Sequence, residues 1–404
     1  MDGDEAAAYA ALRTELEWPR GKELPRADLV LGIARLGELA GRRGAEPLAE
    51  LAAAVVADPE KPEALYDLGY ALIDAGAPAI AATLLWRCLA IVGESEEVVT
   101  ELVSALESSL AYPDAFALLE QHAGLRATSF LARYLHAFNA AMSGRLDVTR
   151  TVLPELVPDS PETTALHATI AGIVERADRL AGMCPLDATD LRGWHYVLTG
   201  GLLTHRSPYG FEDPMHGRYA WLADSLPRIV TGIDRLVALV AGRDLPCVYA
   251  APGEGHEILG TVIAARLGIP LAPWPAVGVP APGLVVFYDL ADVSPANITQ
   301  LLQRRPDQIL YAHASPWTVD SPIAPDVTTL LYQSLVAPWD EAGGEPDLAA
   351  LEAALRASPG LDAEEQLVDD PPGWAALVAR TWPPEPGPRS RLWAGGPVSS
   401  SRFT

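Results

Sequence analysis

The sequence predicts a multidomain protein. An all-α, helical-repeat N-terminal half precedes an α/β C-terminal domain with a mostly parallel sheet. Three observations carry this expectation. Apolar residues recur at spacings of three and four from about residue 28 to residue 180, the mark of amphipathic helices. A 34-residue period runs through that stretch when segments starting at 28, 62, 96, 130 and 164 are overlaid. Beyond residue 217, short apolar runs alternate with helical patterns, as in strands joined by crossover helices.

The elements follow in order. Residues 1–27 read as a helical lead-in broken at Trp18-Pro19 and Leu24-Pro25, since the residue before a proline is driven out of the helical region. In the repeats of 28–180, the segment at Pro62 is the clearest. Leu65, Leu68, Gly69 and Leu72 lie on a first helix, Gly76 at a turn, and Ala81, Leu85 and Cys88 on a second. The next segment repeats this with Val99, Leu102, Val103 and Leu106, then Ala115 and Leu119. The segment at 130 keeps Ala137, Ala140 and Gly144, and the one at 164 supplies a first helix only. No residue in 28–180 has a catalytic look, and His122, His136 and His167 read as packing or surface residues.

These residues resemble the tetratricopeptide repeat over roughly 28–180. The resemblance implies a surface presented to a protein or peptide partner. A single helix pair cannot bury its apolar face without a neighbour; the bland reading is an irregular helical bundle.

Residues 181–216 form an aromatic, Gly-rich connector. Gly200-Gly201 between Trp194–Thr199 and Leu202–His205 predicts a hairpin, because both turn positions accept positive φ. His195, His205 and His216 with Asp213 would have to gather for a metal site, but their spacing matches no ligand motif. Tyr209, in the loop that follows, is a candidate ligand contact.

The α/β domain is expected over 217–340. Ala220–Val240 reads as a helix and Cys247–Ala250 as a strand, with Pro252–Glu257 its loop and a helix ending at Gly268. Leu271–Trp274, Leu284–Phe287 and Gln308–Tyr311 read as strands, Pro295–Arg304 and Asp326–Ser334 as helices, and Val277–Gly283 as a Pro/Gly loop. In 341–404, Asp347–Ala357 reads as a helix and residues 368–404 as a Pro-rich tail, poorly ordered or draped on the surface.

The strand, Gly-loop and helix ending in LGIP, followed by LVVFYDLADVSPAN, resemble a type I phosphoribosyltransferase core. That resemblance implies a pyrophosphate loop at Gly253, Glu254 and Gly255, a ribose-binding acid at Asp289, and a phosphate cradle at Ser294–Asn297. The residues depart from it. Glu254 and Glu257 put negative charge where a diphosphate would lie. Tyr288 replaces the acid before Asp289, and Pro295 removes a backbone N–H. The reading is therefore a degenerate transferase domain that holds or senses a ligand through Gly253, Gly255, Ser294, Asn297 and Tyr209. The alternative is an enzyme of unassigned reaction, phosphoribosyl transfer or metal-assisted, in which Glu254, His256, Asp289 and Asp292 meet at the sheet edge. No resident cofactor is expected, and Mg²⁺ would enter only with a ligand on the acidic loops. There is no GxSxG, P-loop or GxGxxG pattern.

Composition bounds the partners. Formal net charge is −24 over 404 residues, a field that repels nucleic-acid phosphates and anionic membranes. No apolar run reaches the length of a membrane span. Cys88, Cys184 and Cys247 are too few and too scattered for a disulfide framework, and MDGDEAAAYA has no signal-peptide pattern, so a cytoplasmic location is expected.

Overall fold

The computed structural model describes residues 3–210, 214–276, 278, 280–302, 304–340, 348–362, 371–384 and 387–400. The chain divides into two compact units, Met1–Ile170 and Ala171–Thr404.

The first unit is a stack of antiparallel helix pairs. After α1 (Gly3–Leu16) come α2 (Arg26–Arg42), α3 (Glu46–Ala57), α4 (Pro62–Asp74), α5 (Pro78–Val92), α6 (Glu96–Ser108) and α7 (Tyr112–Gln121). A short α8 (Ala123–Thr128) precedes α9 (Phe130–Met142) and α10 (Leu146–Val152), and α11 (Pro161–Arg179) runs on into the second unit. The turn between paired helices repeats too. Gly44, Gly76, Leu110 and Gly144 all have positive φ, between 59° and 77°. The residue after each donates back to a carbonyl five positions earlier, as in Ala77 to Leu72 at 2.8 Å and Ala111 to Leu106 at 2.8 Å. Small residues set the close helix crossings. A Cβ on Gly69 would lie 2.8 Å from Leu85 Cγ, and one on Gly37 would lie 2.9 Å from Ala52 Cβ. Leu65, Leu68, Leu85 and Leu102 are fully buried between layers.

The second unit is an α/β sheet. Its elements are α12 (Leu191–Thr199), β1 (Leu202–Leu203), β2 (Tyr219–Ala223), α13 (Leu226–Val240), β3 (Val248–Ala250), α14 (Glu254–Leu267), β4 (Leu271–Ala272) and β5 (Gly283–Asp289). Then follow α15 (Pro295–Leu301), β6 (Gln308–Pro316), β7 (Val327–Val336), α16 (Leu348–Ala357) and α17 (Pro371–Thr381). Among the described residues the sheet runs β4-β3-β5-β6-β7, and β1 and β2 share the far edge of β7. Every pairing in it is parallel. β5 is buried at all its positions, as a strand covered on both faces must be.

Four expectations are corrected. Trp194–Thr199 is helix, not hairpin: the Asp190 carboxylate accepts the Gly193 N–H at 2.9 Å, and Gly200, at φ +76°, closes α12. Residues 219–223 form a strand, and the helix starts only after Ser225, with Pro227 in its first turn. Asp326–Ser334 is not a helix; Val327–Val336 forms β7, paired on both edges and buried through its first six residues. The tail is not draped on the surface in its described part: Leu392 bridges Ser321, Val398 is 2% exposed, and buried Arg389 meets Asp326 at 2.6 Å. Residues 341–347, which include Asp347, lie outside the described part, as do Val277 and Val279 in the Pro/Gly loop.

Candidate functional site

The sheet reverses direction of growth between β3 and β5. The chain passes from β3 to β4 on one side, then returns to place β5 on the other. Loops at the carboxyl ends of the strands on either side of such a point splay apart and leave a crevice. Here those loops are 251–253, before α14, and 290–294, before α15.

His256, 4% exposed on the first turn of α14, accepts the backbone N–H of Tyr288 through Nδ1 at 2.9 Å. Burial lowers its pKa to about 4, so the imidazole is neutral and fixes the β3–α14 loop to β5. Gly253, at φ +134°, accommodates that ring, since a Cβ there would lie 3.0 Å from His256 Cδ2. Gly255 makes room for an aromatic: its Cβ would lie 2.6 Å from Trp339 Cζ2, and the Tyr288 and Trp339 rings meet edge-on at 4.4 Å.

Tyr288 and Asp289 are neighbours in a strand, so their side chains enter opposite faces of the sheet. The Tyr288 hydroxyl donates to Asp224 Oδ2 at 2.9 Å, and His313 Nε2 meets the same oxygen at 2.9 Å. Arg228 reaches the other Asp224 oxygen at 3.2 Å. Burial alone would raise the Asp224 pKa, but His313 and Arg228 outweigh it and hold the carboxyl below its ordinary range. On the opposite face, Asp289 accepts the Tyr332 hydroxyl at 2.5 Å and the Ala291 N–H at 2.9 Å. Burial pushes its carboxyl up to about 7, against those hydrogen bonds and with help from Asp292. Desolvation and then Asp340 raise Asp292 as well.

Of the residues singled out from the sequence, Asp289 and Asp292 are brought together, with Asp340 beside them, and His256 touches β5 through its backbone. Glu254 is exposed, and no hydrogen bond or ion pair joins it to that group among the described residues. Ser294 caps α15 by accepting the Asn297 N–H at 3.3 Å. Tyr209 is 65% exposed, its N–H bonded to Ser207. His205 meets Tyr219 at 2.9 Å, His195 is buried, and Asp213 lies outside the described residues. Among the described residues, no group of three or more His, Cys, Asp or Glu is placed to hold a metal. The loop after Asp289 lines an apolar cavity of about 360 Å³, between Leu290, Val293, Ile298, Pro316 and Val319, with Asp320 at its wall.

Asp224, Arg228, His313, Tyr332 and Trp339 were not singled out from the sequence. A signal existed for one: Tyr311, His313 and Ser315 alternate along β6 and so share a face. Gly232 lets α13 approach that face, where its Cβ would lie 2.5 Å from Thr329 Oγ1 and 3.0 Å from His313 Nδ1.

No protein-family model and no curated protein matches the chain. Solved structures do match, among them a mutant O-GlcNAc transferase from Thermobaculum terrenum, 15% identical with a TM-score of 0.21. The match covers 78% of this chain and 54% of that one, so the chain spans about half of that protein's length. A superposition this loose carries no argument about fold or activity.

Proposed function

We propose that the protein is an interaction scaffold. The helical repeats, of tetratricopeptide character, take a basic protein or peptide segment. The α/β unit, of phosphoribosyltransferase-like descent, holds a small ligand at its sheet edge without transferring a phosphoribosyl group. The observation that carries this reading is the outer face shared by α4 and α6. Tyr70 is 50% exposed there, beside Tyr66, Asp74, Glu97 and Glu101. Among the described residues no Lys or Arg pairs with these three acids, and burial, Asp74 and Glu97 together raise the Glu101 pKa. A Lys- or Arg-bearing segment would relieve that repulsion and stack on exposed tyrosine. A cytoplasmic location belongs to the same reading, supported by Cys88, Cys184 and Cys247 as free thiols. Among the described residues, no helix is long and apolar enough to cross a membrane.

Titration calorimetry with an Arg/Lys-rich peptide tests the first part. Tyr70→Ala is expected to weaken binding about tenfold with no loss of fold, since a half-exposed aromatic anchor contributes roughly 1–2 kcal/mol. Equal affinity of wild type and variant, or no binding, sinks it. Thermal shift with phosphoribosyl pyrophosphate and Mg²⁺ tests the second part. Tight binding lost in Asp289→Ala would overturn the non-transferase reading. One observation favours the enzyme alternative: an Asp289 carboxyl near 7 suits general acid–base work at neutral pH.

A further inference from the structure

Arg218, immediately before β2, is 3% exposed. Its guanidinium lies 5.2 Å from the Trp317 ring centroid, and Nη1 reaches the Val398 and Ser399 carbonyls at 3.4 and 3.3 Å. No carboxylate pairs with it among the described residues, and its Nε has no hydrogen-bond partner. Two other buried arginines of this unit, whose Nε atoms are likewise unpartnered, do have a carboxylate. Arg228 has Asp224 at 3.2 Å, and Arg389 has Asp326 at 2.6 Å. A buried charge left without a counter-charge is strongly destabilising, and water can satisfy its N–H groups without neutralising it.

His195 of α12 is 6% exposed, and its Nε2 also has no partner. Both side chains line one cavity of about 30 Å³, walled by Trp194, Trp317, Leu331 and Trp393. That volume admits roughly two water-sized spheres, which is room for a halide and too little for phosphate or a carboxylic acid. We propose that this cavity binds a monovalent anion of halide size, held between the Arg218 guanidinium and the His195 Nε2–H. Charge-assisted hydrogen bonds of this kind are about twice as strong as neutral ones. Burial and Arg218 lower the His195 pKa to about 4, so the imidazole donates without adding a second positive charge. One cation then meets one anion. The ion ties α12 and the start of β2 to residues 393–398, a segment outside any helix or strand.

The test uses the full chain in sodium chloride, bromide or gluconate at one ionic strength of about 0.15 M, so that general screening is constant. Wild type is expected to melt roughly 3–5 °C higher in either halide than in gluconate, if the halide stands about tenfold above its dissociation constant. Arg218→Met is expected to lose that difference. Should the variant fail to fold, crystals of wild type grown in bromide decide the matter by anomalous diffraction. A bromide peak within hydrogen-bond reach of Arg218 Nε and His195 Nε2 supports the site. Equal melting in all three salts, or only water at that position, overturns it.

Discussion

Replacing Asp289 by Asn tests whether the sheet edge keeps a neutral carboxyl. Asp289 is 5% exposed, and its pKa stands at about 7 against an ordinary 3.8. A difference of about three units at roughly 1.4 kcal/mol each amounts to about 4 kcal/mol of folding stability lost once the carboxyl is ionised in both folded and unfolded states. The folded pKa is raised, so the folded state holds a proton that the unfolded chain has lost. The contribution is fully present below the unfolded pKa and is lost as pH rises through the folded one. Asn cannot ionise. Its oxygen can accept from Ala291 N–H and its amide can donate to the Tyr332 oxygen, so both local bonds have counterparts. Four histidines whose pKa burial lowers, His136, His195, His216 and His256, act in the opposite direction. His256 and His195 are lowered to about 4, so stability rises between pH 4 and about 6.5 on their account and masks Asp289 in the wild-type curve. Their contributions cancel in the difference between variant and wild type. Urea unfolding at half-unit steps from pH 4 to 8.5 should show Asp289→Asn gaining about 1.4 kcal/mol per pH unit, with a plateau near 4 kcal/mol above pH 7. A flat difference would refute the neutral, desolvated carboxyl, and a falling one would mean that Asp289 is stabilised as an anion.

Two further outcomes are expected. Gly255→Ala puts a Cβ 2.6 Å from Trp339 Cζ2 and should cost about 1–3 kcal/mol in chemical denaturation, with a matching change in tryptophan fluorescence. Leu110 is the non-glycine member of the repeated positive-φ turn, at φ 59°, so Leu110→Gly should raise the melting stability of the repeats by about 0.5–1 kcal/mol.

The helical repeats were legible because two independent signals share one period. Small residues at the crossings and a positive-φ turn both recur, and local hydrogen bonds satisfy the turn without help from distant chain. The sheet was legible where strands are short, apolar and bounded by turn residues, as in β3, β5 and the start of β6, which runs beyond Tyr311 to Pro316. It was not legible in β7, where Val327, Leu330 and Leu331 also fit a helical spacing of three and four. A strand covered on both faces gives a continuous apolar run, so only the β-branched Val327, Thr328 and Thr329 discriminate. Gly200-Gly201 misled for a related reason: positive φ serves a helix end as well as a hairpin, and Asp190 ten residues earlier was the better guide. Asp224 and Asp326 find their partners 89 and 63 residues away, in His313 and Arg389, which no local pattern encodes.

The sheet-edge loops hold most of the residue types that a phosphate-binding site needs, yet much of their capacity is already used within the protein. Gly255 accommodates Trp339, and the His256 Nδ1 lone pair is taken by Tyr288. Ser294 caps a seven-residue helix, and both Asp289 oxygens accept hydrogen bonds. What these bonds leave is a charge distribution and a cavity. Asp292 and Asp340 lie beside the largely protonated Asp289 at the edge, and the first turn of α14 carries Glu254 and Glu257. A helix N-terminus attracts anions through unpaired N–H groups, but carboxylates on the same turn occupy that potential. A sugar diphosphate would therefore enter against repulsion that Mg²⁺ alone would have to offset. A ligand with an apolar body faces no such barrier in the 360 Å³ cavity beside Leu290 and Val293, and a neutral or cationic polar end would suit Asp320 in its wall. Among the described residues, acids without a paired Lys or Arg lie on the outer face of α4 and α6 and at the sheet edge, so the scaffold reading asks for positively charged chemistry at both.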